Sequence, residues 1–228
     1  MKRWICILLS LLVEVRCLAQ HDIQVYFTPQ FQSAQLTLDS IYHLPKEVTF
    51  QLSTFKLYIS NIQFFKQNML VDQDSIHYRL LNMENPLSMQ FTIPRTNATD
   101  YNEIRFNLGI DSFTNVSGAM GGDLDPTQGM YWTWQNGYIN VKLEGVSNLS
   151  PARKKGFQFH LGGYQQPYSS LQQISLKVKN QSSVHIGIDL SAFFKTIDLS
   201  NLHHIMLPSI EAKQLSSQLA QSFYSIQK

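Results

Sequence analysis

Cysteine is almost missing from this 228-residue chain, and the position of its two copies decides what their scarcity excludes. Cys6 and Cys17 both fall within residues 1–19, which read as a secretory signal peptide: Lys2 and Arg3 make a charged start, Ile5 to Val13 is apolar, and Cys17-Leu18-Ala19 resembles a cleavage site. The run is too short and wrongly flanked to span a membrane. Arg16 stands where a lipoprotein signal needs a small residue, so the segment reads as a plain secretory leader. Cleavage after Ala19 leaves a chain with no cysteine. Disulfides and thiolate metal ligands are then excluded, and a soft-metal site must draw on histidine, methionine or aromatic side chains.

A charge excess of either sign is also lacking. Taking Lys2, Arg3 and Arg16 from the 18 basic residues, and Glu14 from the 16 acidic ones, leaves 15 of each. Electrostatics therefore gives no case for nucleic acid or an anionic membrane as partner. No Pro/Ser/Gly run or charge block divides residues 20–228, which are expected to form one domain. No repeat period appears, which argues against propellers and solenoids. Catalytic signatures are missing too: there is no Gly-X-Ser-X-Gly, His-Glu-X-X-His, P-loop or Gly-X-Gly-X-X-Gly.

What is present is alternation. Strand-like runs occur at 22–27, closed by Pro29, then at 47–52, 56–65, 77–81, 89–93, 103–108, 137–144, 156–161, 173–178 and 184–190, separated by Asn, Asp, Gly and Pro. The pattern predicts an all-β chain, a β-sandwich of mostly antiparallel strands or a partly closed barrel. Ile210, Leu215, Leu219, Phe223 and Ile226 fall near helical spacing behind Pro208, which predicts a C-terminal amphipathic helix over about 209–225. A shorter helical turn is expected near Ala192–Thr196, capped by Asp189 or Ser191.

The stretch from Gly118 to Gly163 is the most informative. Trp132 and Trp134 lie two apart, so a strand projects both from one face, and His160 follows in an apolar-aromatic run. His160 is the best candidate imidazole ligand. His203-His204 with Met206 form a local group of soft donors, with His204 and Met206 sharing a face on a strand. His21 beside a new N-terminal amine would make a strong Cu(II) chelate. The plainer readings are a hydrogen-bonded core histidine, indoles packed in the core, and, for exposed indoles, a platform for sugar stacking. Asp111, Asp123 and Asp125, with Asn115, suit either calcium or Asx-turns that shape a glycine-rich loop, and the turn role is favoured. His43, His77 and His185 read as solvent-facing or packing residues. Asn97-Ala98-Thr99 and Asn148-Leu149-Ser150 fit the glycan acceptor pattern, which an Asn- and Ser-rich chain meets often by chance.

Several segments in order resemble the MbnP-like, methanobactin-associated family of periplasmic copper-binding proteins: Phe55-Lys56-Leu57-Tyr58-Ile59-Ser60-Asn61-Ile62, Phe106-Asn107-Leu108-Gly109-Ile110-Asp111-Ser112 with Asn115, Gly122-Asp123-Leu124-Asp125-Pro126, Gly129-Met130-Tyr131-Trp132-Thr133-Trp134 with Gly137-Tyr138, and Phe159-His160-Leu161-Gly162. The resemblance runs from about Ile23 to Phe223. It implies a β-sandwich, a periplasmic or secreted location, and copper binding without catalysis. It also implies a dihaem partner enzyme that in some relatives oxidises a tryptophan to kynurenine near the metal. The matching positions are Trp132 or Trp134, and the family's histidine falls on His160. Relatives often carry a cysteine pair after the equivalent of Leu161-Gly162, where this chain has Gly163-Tyr164-Gln165. A second reading is a surface binding module whose exposed aromatics meet a glycan or a protein, with no metal.

Overall fold

The computed structural model describes residues 22–96, 100–133 and 135–227. Residues 1–19 (read from the sequence as a leader), His21, Trp134 and the Asn97-Ala98-Thr99 motif lie outside them. In chain order the described elements are β1 Ile23–Phe31, β2 Ala34–Gln35, β3 Ile41–Leu44, β4 Val48–Lys66, β5 Met69–Gln73, β6 Tyr78–Asn82, β7 Gln90–Ile93, β8 Glu103–Leu108, α1 Ser112–Val116, β9 Tyr131–Thr133, β10 Gly137–Ser147, β11 Gly156–Gly162, β12 Gln172–Lys177, β13 Ser183–Asp189, α2 Leu190–Thr196, β14 His204–Ile205, α3 Ile210–Ala220 and β15 Phe223–Ser225.

The strands form two sheets. The smaller runs β15-β13-β1-β2, with β7 also on β1; the larger runs β12-β8-β4-β10-β11-β14, with β3, β5 and β6 on β4 and β9 on β10. β1 with β13 and β11 with β14 are parallel, and the other pairings are antiparallel. The architecture is all-β with a helix near the C-terminus. Inward residues of both sheets, among them Val25, Phe27, Leu57, Phe106, Leu143, Phe159 and Ile186, make the main core. A second cluster of Tyr58, Leu80, Ile110, Leu124, Met130, Tyr138 and Ile139 gathers the half-buried Tyr78, Tyr131 and Trp132.

Three sequence expectations require correction. Pro29 does not end the first strand, because β1 continues to Phe31. A strand residue's N–H and C=O point the same way, and the Pro29 carbonyl accepts from the Leu36 N–H at 2.9 Å, away from β13. The missing N–H of proline therefore costs no bond in the β1–β13 ladder.

The runs 47–52 and 56–65 are one strand, β4, interrupted by a bulge. Glu144 pairs with Thr54 but Gly145 with Leu52, so Ser53 is the extra residue. Leu52 and Phe55 are three apart and both fully buried, which alternation without a bulge forbids. The bulge also demands Gly145, where a Cβ would come within 2.0 Å of the Gln51 carbonyl oxygen.

The C-terminal helix stops at Ala220 rather than near 225. Phe223 passes into β15, pairs with Ile188 of β13, and packs edge-on against Phe106 with ring centroids 5.7 Å apart. Tertiary strand pairing outweighs the helical spacing of the last turn. The start is as the sequence implies: Ser209 caps α3 by accepting from the Ala212 N–H at 3.1 Å. Asp189 caps α2 in the same way through the Ser191 N–H at 2.9 Å.

Candidate metal centre on the outer face of the β10–β11 ladder

β10 and β11 pair Lys142 with His160 and Glu144 with Gln158. Val141, Leu143, Phe159 and Leu161 point into the core and are fully buried. Alternation therefore sets Lys142, Glu144, Gln158, His160 and Gly162 on the opposite face of the sheet. His160 is only 5% exposed even there.

Its two ring nitrogens meet different surroundings. Nε2 lies 2.6 Å from Glu144 Oε1. Nδ1 is buried and has no hydrogen-bond partner among the described residues. Burial is the leading cause that lowers the His160 pKa below its ordinary value. The hydrogen bond to Glu144 opposes that shift, and the nearby charges of Lys142 and His204 reinforce it. The imidazole is therefore neutral at neutral pH. A carboxylate can only accept, so the single ring proton belongs on Nε2, and Nδ1 keeps its lone pair. This is the arrangement in which an imidazole serves as a metal ligand: one nitrogen oriented by a carboxylate, the other free to donate.

Lys142 donates to the Gly129 carbonyl at 3.2 Å and stands 3.8 Å from Glu144 Oε1. It ties the loop before β9 to the same face. Trp132, on β9, lies across Gly162: a Cβ there would come within 2.6 Å of indole Cζ3. Gly162 is two residues beyond His160 on the same strand face, a separation of roughly 7 Å. The Trp132 Nε1 is buried and, like His160 Nδ1, has no hydrogen-bond partner among the described residues. The indole of Trp132 thus rests on the strand that carries His160. Trp134 and His21 lie outside the described residues.

The second soft-donor group reaches the same sheet. β14 adds in parallel to the edge of β11, with Gln158 beside His204 and Phe159 beside Ile205. His204 is exposed, Ile205 buried and Met206, just past the end of β14, half-buried; His204 and Met206 line one cleft. His203 lines one cleft with His204, Glu144 and Gln158; its Nδ1 is buried without a hydrogen-bond partner among the described residues, and its carbonyl accepts from the Gln158 N–H at 2.8 Å.

The three aspartates build loops. Asp111 caps α1 through the Thr114 N–H at 2.9 Å and accepts from Tyr78 Oη. Asp123 accepts from the Leu80 N–H at 2.8 Å, and Asp125 from the Thr127 N–H at 2.8 Å. Among the described residues no group of three or more His, Cys, Asp or Glu is gathered as a cation site. His185 stacks on Tyr26 at 4.6 Å, while His43 and His77 are exposed.

Sequence reasoning missed Glu144, Lys142 and Gly162 as parts of the site. Period two within 137–144 puts Lys142 and Glu144 opposite Val141 and Leu143. Which strand lies beside them, and in which register, is not written in that segment.

A family model described as MbnP matches residues 20–210. Among solved structures, MbnP from Methylosinus trichosporium superposes with a TM-score of 0.56 at 12% sequence identity, covering 78% of this chain and 79% of that one. At that identity the likeness establishes the fold. No curated protein sequence matches the chain. Among the described residues no helix is long and apolar enough to cross a membrane.

Proposed function

We propose that this chain, which belongs to the MbnP family, is a periplasmic or secreted copper-binding protein with no catalysis of its own. The observation that carries this reading is the buried Nδ1 of His160, unpartnered among the described residues, on a ring oriented by Glu144. Such a nitrogen loses hydration on folding and gains no donor in return, a cost that a bound cation would offset.

The donor set favours copper over a harder ion. Calcium needs six to eight oxygens, and Asp111, Asp123 and Asp125 are each occupied by local hydrogen bonds. Copper accepts imidazole and, as Cu(I), few ligands in all. His160 would hold it, Glu144 would fix the ring, and Trp132 would border it. Oxidation of Trp132 or Trp134 to kynurenine by a dihaem partner enzyme, as the family resemblance implies, would add an oxygen or nitrogen donor to the chain.

Copper stoichiometry of the exported chain and of His160→Ala tests the reading. One tightly held copper in the first and none in the second is the expected result. Equal, weak binding by both rejects the site.

A second reading, a binding module for a protein partner, is favoured by one feature. Phe113 on α1 is 82% exposed, with Val116 one turn on at 71% and Met120 beyond at 46%. Single exposed apolar residues are ordinary, but three adjoining ones on one loop suit a contact surface. Metal-free pull-down by the exported chain, abolished by Phe113→Ser and untouched by His160→Ala, would select it.

A further inference from the structure

We propose that His204 and Met206 form a second, outer Cu(I) site at the sheet edge, which captures the ion before it reaches His160. The proposal rests on the copper reading above and adds a place of entry to it.

Four observations converge there. The β11–β14 register puts His204 beside Gln158, and extending it by one residue sets Met206 level with His160. Ile205 is buried between the exposed His204 and the half-buried Met206, which stands just past the end of β14. Both side chains line one open cleft of about 370 Å³, which Glu211 of α3 also borders. His204 also lines a second cleft together with Glu144, the carboxylate that orients His160.

The chemistry matches the placement. Imidazole and thioether are the neutral donors that Cu(I) prefers, and a chain without cysteine after its leader has no softer pair to offer. His204 is exposed and Met206 half-buried, whereas His160 is shut away. An ion arriving from solvent therefore meets the outer pair first. Passage inward is an exchange of neutral ligands, with no electron or proton transferred.

Ag(I), which shares the donor preferences of Cu(I) and is redox-inert, is the probe. The exported chain labelled at methionine methyl groups is titrated with Ag(I), as wild type, H160A, H204A and M206L. The methyl resonance of the fully buried Met130 reports an intact fold in each variant. The expected result is a saturable shift of the Met206 methyl in wild type and in H160A alike. H204A should weaken that response roughly tenfold, about the effect of one lost ligand interaction. A Met206 methyl that never moves in wild type overturns the proposal, and leaves the His160 reading intact if H160A still abolishes a separate binding event. A shift that disappears in H160A also overturns it, because the three side chains would then make one site. Finally, Cu(I) delivered from a chelator should load His160 roughly tenfold more slowly in the H204A/M206L double variant. An unchanged rate overturns the capture role.

Discussion

Trp132 rests on Gly162 so closely that a single added methyl group at 162 would stand 2.6 Å from Cζ3 and 2.9 Å from Cη2 of the indole. The glycine is what allows the ring to lie against the sheet face beside His160. The same Cβ would also meet the Tyr138 carbonyl oxygen at 2.7 Å, and backbone cannot swing aside as a flexible side chain can. Gly162→Ala should therefore cost about 2 kcal/mol, the usual range for overpacking, and should shift the indole. Urea unfolding gives the first, and the near-ultraviolet circular dichroism of the folded protein gives the second. An alanine variant with wild-type stability and spectrum would mean that the indole does not rest there.

Glu144 should govern copper affinity without touching the metal. Removing the carboxylate that orients a ligating imidazole typically costs about 10- to 100-fold in affinity. Glu144→Ala should show a loss of that size in competition with a chromophoric chelator, and Glu144→Gln, which keeps a hydrogen-bond acceptor, a smaller one. An affinity equal to wild type in Glu144→Ala would remove the carboxylate from the site.

The depressed pKa of His160 predicts a pH dependence whose sign can be worked out. Below its ordinary pKa near 6.5 the unfolded chain binds a proton that the folded one resists. Stability is full above that value and declines as pH falls from it toward the lower folded pKa. The slope of unfolding free energy against pH in this window should be shallower in His160→Gln. An unchanged slope would show that the ring is protonated in the folded protein at mildly acid pH.

Far from the metal face, Glu103 is a buried carboxylate held by Arg105, Lys177 and Ser175, which push its pKa down to about 2. Its contribution is present above the ordinary glutamate value of about 4.5 and is lost as pH falls through about 2. Glu103→Gln should lower stability at pH 7 by about 2 kcal/mol, because it removes the negative charge that accepts from Arg105, Lys177 and Ser175. Copper binding should not change. The variant thus separates loss of fold from loss of site in the experiments above.

Much of this was legible in the residues. Alternation in 103–108, 156–161 and 184–190 marked strands that the structure draws within a residue of those bounds, because each sets core side chains at every second position: Ile104, Phe106 and Leu108, then Phe157, Phe159 and Leu161, then Val184, Ile186 and Ile188. His160 and Trp132 stood out as a rare imidazole and a rare indole in neighbouring strands. Pro29, the Ser53 bulge and the turn after Ala220 misled the reading for a shared reason. In each, a bond or contact to a residue far along the chain overrides the local signal: Leu36 bonds the carbonyl of Pro29, Gly145 admits the bulge, and β13 draws Phe223 out of the helix.

Sequence alone settled the class of structure, the want of cysteine beyond Cys17 and the family, since patterning, composition and ordered motifs are properties of residues taken singly or with near neighbours. Only the folded chain decided that Glu144 would grip one nitrogen of His160, and that a two-residue edge strand would carry His204 to the side of Gln158. Those pairings span 16 and more than 40 positions, and nothing but the register of β11 between β10 and β14 brings them within reach.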